Sequence, residues 1–147
     1  MALFAGAGRE ELRRAWVEAW RKHREGRPLE PLEAQLADLV AAHPEYHAVL
    51  EAGAASESRE WTPEGGQSNP FLHLGLHMAV REGVATDRPP GLRAAFSTIA
   101  EASGSAHEAE HRLLDCLAET LWEAQRERRA PDESAFLARV RRLATRR

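Results

Sequence analysis

Seven histidines occur in the 147 residues, and six of them fall into three His-x-x-x-His pairs: His43/His47, His73/His77 and His107/His111. A chain of this histidine content would hold about 0.3 such pairs by chance, so the spacing needs a cause. Residues four apart on a helix lie on one face about 6 Å apart, the separation at which two imidazoles grip one ion. Carboxylates stand a turn or less away: Glu51 after His47, Glu110 beside His111, and Asp115 after it. Each is placed either to ligate or to orient an imidazole from behind. The expected ligand set is therefore His43, His47, His73, His77, His107 and His111 with Asp115. Nitrogen and oxygen donors without thiolate suit Zn, Fe or Mn and do not choose among them.

The direction of these side chains follows from the helical pattern. At 100° per residue, His107 and His111 continue the stripe of Leu114, Ala118 and Leu121, and His43 extends the stripe of Leu32, Leu36, Leu39 and Val40. His73 and His77 sit on a segment apolar on every side. All six are expected to face inward, where an imidazole is costly unless it finds a metal ion or a polar partner. Two functions follow: a metal-binding bundle, or a metal-free helical interaction module with a buried His/carboxylate network and a basic C-terminal helix as its contact surface.

Sharper chemistries fit less well. His107-Glu-Ala-Glu-His111 matches the zinc-protease pattern in which Glu serves as general base, but Leu114 stands where a metzincin carries Gly, and no sheet supplies a substrate edge. A ferritin-like di-iron site needs two Glu-x-x-His pairs, and Glu108/His111 is one. Cys116 beside Asp115 has no helix N-terminus near it to lower its pKa, which argues against a thiolate nucleophile. Catalysis stays undecided.

The elements that must position these residues read as helices nearly throughout. Leu12, Trp16, Ala19 and Trp20 mark a first helix from about Arg9 to Arg24, ended by Gly26 and Pro28. A second starts at Pro31, and Pro44 takes His43 out of it and opens a short third helix to about Ala52. Residues Gly53 to Asn69 read as a long loop anchored by Trp61, buried as a plug or a covering flap. Asn69-Pro70 caps a fourth helix, and Pro89-Pro90-Gly91 punctuates before a fifth. Ser105-Ala-His-Glu108 has the capping-box pattern of the longest helix, and Pro131-Asp132 opens the last. The class is all-α: a single-domain bundle over residues 1–147 of about six to seven helices, with the long loop between the third and fourth.

Charge and composition bound the partners. Residues 1–27 carry a net +3, residues 28–123 carry −11 and residues 124–147 carry +5. An acidic body argues against nucleic acid, whose readers present a basic face, and favours a cation. No window reaches the 18 or so apolar residues of a membrane span, and one cysteine fits a reducing, cytoplasmic setting. A homo-oligomer stays open.

Five blocks together, His43-Pro-Glu-Tyr-His47, Trp61-Thr-Pro-Glu-Gly-Gly, Asn69-Pro-Phe-Leu-His-Leu-Gly-Leu-His77, Pro89-Pro-Gly-Leu-Arg93 and His107-Glu-Ala-Glu-His111, resemble the bacterial family called domain of unknown function 1841. The resemblance covers almost the whole chain. It implies a small helical cytoplasmic protein and brings no reaction with it.

Overall fold

The computed structural model describes residues 9–61 and 69–145. Among them are eight α-helices and no strand: α1 (Arg9–Arg24), α2 (Pro31–Ala41), α3 (His47–Glu51), α4 (Ala54–Glu57), α5 (Pro70–Thr86), α6 (Leu92–Ser103), α7 (Ala106–Arg126) and α8 (Glu133–Thr145). A 3₁₀ turn, Pro44–Tyr46, precedes α3. The all-α expectation holds. The loop expected from Gly53 to Asn69 does not start where it was placed, because Ala54–Glu57 closes one helical turn, with Glu57 N–H donating to Gly53 O. The Thr62–Ser68 part of that loop lies outside the described residues. No described helix is long and apolar enough to cross a membrane.

The chain divides into two compact units, and the division falls inside α5, between Gly75 and Leu76. In the first unit α1 packs on α2 and also meets α3 and α4. The stripe expected on α1 is the one that buries: Trp16, Ala19 and Trp20 are inside, as are Leu36, Leu39 and Val40 of α2, whereas Leu32, expected with them, is exposed in the first turn of α2. Asn69 begins α5 as its sequence promised, its Oδ1 accepting from the N–H groups of Phe71 (3.0 Å) and Leu72 (3.2 Å). These are amides that the helix itself leaves without partners.

In the second unit α6, α7 and α8 pack on one another. Val80 of α5, Leu92, Ile99, Leu113, Leu117, Phe136 and Val140 are buried in one apolar cluster. Ser105 caps α7 by accepting from Glu108 N–H at 3.1 Å. The return half of the expected capping box is absent, since the Glu108 carboxylate pairs with Arg112 instead, at 2.8 Å. On α8, Arg139 donates to Thr120 Oγ1 at 2.8 Å and pairs with Glu123, so part of the basic C-terminal helix is tied to α7.

The Pro89-Pro-Gly-Leu-Arg93 block makes the corner between α5 and α6. Asp87 Oδ1 accepts from the amides of Gly91 (3.1 Å) and Arg93 (3.0 Å), and the Arg93 guanidinium reaches back to the carbonyls of Val84 and Ala85 at the end of α5. The corner closes against Gly83, where a Cβ would stand 2.9 Å from Arg88 O and 3.0 Å from Leu92 Cδ2. One of those neighbours is backbone and cannot swing aside. Gly75, in the same helix, has no described atom within 4 Å of where its Cβ would be. Two substitutions in one helix should therefore have opposite signs. Gly83→Ala is expected to lower stability by about 1–3 kcal/mol through overpacking. Gly75→Ala should raise it by up to about 1 kcal/mol through helix propensity. Urea unfolding followed by circular dichroism measures both.

Candidate functional site

Pro44 governs the first histidine. A residue before proline is pushed out of the α region, and His43 has φ −124° and ψ 71°. Its ring is 4% exposed, and Nδ1 lies 2.7 Å from Leu39 O. A carbonyl only accepts, so Nδ1 carries the proton and, in the neutral ring, Nε2 carries the lone pair that a metal needs. The ring stacks on Tyr46 with centroids 5.6 Å apart and meets the half-buried His73 ring edge-on at 5.2 Å. The ligand nitrogens of His43 and His73 come within 4.8 Å of each other.

His47 goes elsewhere. Its Nε2 donates to Val40 O at 2.8 Å, and its ring lies on Trp20 at 4.5 Å. His43 and His47 therefore do not act as a helical i, i+4 pair, because the helix ends between them at Pro44.

In the second unit His77 is 1% exposed, and its Nδ1 lies 2.8 Å from Glu110 Oε1. The same oxygen accepts from Arg81 Nε at 2.9 Å. Burial alone would push the Glu110 carboxyl up, but the hydrogen bonds from His77 and Arg81, together with their charges, hold it below the usual carboxylate range. Glu110 thus stays ionised at neutral pH and fixes the proton of His77 on Nδ1. The His111 ring meets the His77 ring edge-on, centroids 4.7 Å apart, with ligand nitrogens within 4.8 Å. His107 stands 4.6 Å from His111, ring to ring, but it is exposed in the first turn of α7, which corrects the expectation that it faces inward.

The three flanking carboxylates separate clearly. Glu51 pairs with Arg24 at 3.0 Å, Asp115 is exposed, and Glu110 reaches a histidine. Arg81, which completes that contact, was missed; its sequence signal is its place one turn after His77. Glu108 of the His-Glu-x-x-His block is exposed and paired with Arg112. The Cys116 thiol is buried and pushed up by that burial and by Glu119 and Asp115, the opposite of an activated nucleophile. Leu72 is 59% exposed, so α5 is not the wholly buried helix its sequence suggests.

Trp61 sits in a cation–π arrangement. The buried Arg13 guanidinium lies 5.1 Å from the Trp61 ring centre and 5.2 Å from that of Phe71, and Arg59 lies 4.9 Å from Trp61. Arg13 Nη1 also donates to the carbonyls of Glu57 (3.0 Å) and Arg59 (2.7 Å), fastening the segment after α4. The Trp61 ring is half-buried, less than expected.

The fold and these side chains define an all-α protein with one close imidazole pair in each unit, His43 with His73 and His77 with His111. The family described as Domain of unknown function (DUF1841) matches residues 8–142, and the chain belongs to it. No curated protein and no solved structure matches.

Trp61→Ala is expected to cost about 1–3 kcal/mol, below the 3–5 of a fully buried aromatic, as contacts to Arg13 and Phe71 are lost. Metal content per folded molecule should not change. Thermal unfolding and elemental analysis of the same preparation check both.

Proposed function

We propose that this protein binds a transition-metal dication through imidazoles carried by α5 and its neighbours. The supporting observation is a close pair in each unit: the ligand nitrogens of His43 and His73, and those of His77 and His111, lie within 4.8 Å of each other. His73 and His77 are one turn apart, so α5 presents both on one face. Hydrogen bonds from Nδ1 of His43 and of His77 leave Nε2 as the donor in each, the arrangement that orients histidine ligands. An all-imidazole set favours Zn or Fe over Mn, which prefers oxygen. In this reading His47, His107 and Asp115 fall outside the ligand set, the first by its bond to Val40 O and the others by exposure.

The competing reading is a metal-free interaction module. It draws on the His77, Glu110 and Arg81 contacts, which close without an ion.

Elemental analysis of protein purified without a polyhistidine tag separates the two. Metal binding predicts zinc or iron at about one equivalent or more, reduced in His73→Ala or in His77→Ala and kept in His107→Ala. Added zinc at about 100 times its Kd should stabilise the parent by about 2.7 kcal/mol. Metal below about 0.1 equivalent with no thermal shift leaves the metal-free module.

A further inference from the structure

Glu110 is buried on α7, and its Oε1 takes two N–H donors from a single turn of α5, His77 Nδ1 at 2.8 Å and Arg81 Nε at 2.9 Å. A carboxylate withdrawn from water is costly unless its lone pairs are met. Here the donors meet it and are themselves constrained. The His77 ring has lost one of its two tautomers, and its plane is set by the bond. The next residue along α7, His111, brings its ring against His77. Successive residues of α7 therefore supply an imidazole and the carboxylate that aims another imidazole.

We propose, resting on the metal reading above, that Glu110 is a positioning residue for that site: it holds His77 as the Nδ1-protonated tautomer with Nε2 as donor, and Arg81 keeps Glu110 in that role. The Glu110 charge strengthens the His77 imidazole as a ligand by stabilising positive charge that develops on the ring when Nε2 donates. Arg81 shares the oxygen that His77 uses, which restrains the carboxylate from rotating away from the ring. Glu110 touches no ion in this scheme and acts through His77.

Zinc is the probe, and Glu110→Gln is the variant that keeps the side chain's size while removing its charge. Zinc affinity should fall about 10–100-fold, the usual effect of losing such an orienting partner, while far-UV circular dichroism stays that of the parent. Glu110→Met, which removes the acceptor as well, is the second variant. In metal-free parent protein, nitrogen-15 NMR of the histidine rings should find the His77 proton on Nδ1, and Glu110→Met should release it to a mixture of tautomers. Equal zinc affinity in parent and both variants, or a His77 protonated on Nε2 in the parent, overturns the proposal. A parent that takes no zinc overturns the metal reading and the ligand-strengthening role with it, and the tautomer measurement then still reports whether Glu110 orients the ring. If Glu110→Met does not fold, the Glu110→Gln affinity decides.

Discussion

A carboxylate that has left water must find donors, and Glu110 finds two on one turn of α5. That contact orders more than a pair of side chains. Three groups that are each expensive to bury, an imidazole, a carboxylate and part of a guanidinium, offset one another because donors outnumber acceptors at a single oxygen. Glu110 is the common member, and removing it takes an acceptor from both His77 and Arg81. The polarity of the His77 ring, with its proton toward Glu110, is the direct consequence, and the ring's remaining nitrogen is directed by default.

Backbone carbonyls do for His43 and His47 what Glu110 does for His77. Leu39 O takes Nδ1 of His43, and Val40 O takes Nε2 of His47. Neighbouring carbonyls at the end of α2 thus select opposite ring nitrogens in two histidines that the sequence spaces like a ligand pair. Pro44 is the cause. It interrupts the helix between them, so the rule that places residues four apart on one face has no helix to act on. His73 and His77 keep that rule because α5 is unbroken through both. His107 and His111 also keep it, but His107 lies in the first turn of α7, beyond the part of the helix that is covered.

Several of the distinctive sequence blocks turn out to be joinery. Asn69-Pro70 caps α5, the Pro-Pro-Gly-Leu-Arg block ties α6 back to the end of α5, and Arg13 clamps the backbone after α4 beneath Trp61. The His-Glu-x-x-His letters do not behave as a protease helix, because their Glu108 faces outward to Arg112.

Helix positions, caps and most of the inward stripes of α1, α2 and α7 were legible from residue spacing, since period, proline and capping groups act within a few residues of one another; Leu32 and His107, both in first turns, are exposed instead. The family was legible too, and so was the suspicion that histidines four apart share a purpose. Which histidines come together was not legible. His43 reaches His73 across thirty residues of chain, and Glu110 reaches His77 across thirty-three. Such contacts depend on how helices pack, and helical periodicity fixes only the face a residue occupies. The same limit explains why Glu51, Glu110 and Asp115 looked alike in sequence. Each stands within a turn of a histidine, and only packing exposed Asp115, gave Glu51 to Arg24 and enclosed Glu110 with His77 and Arg81.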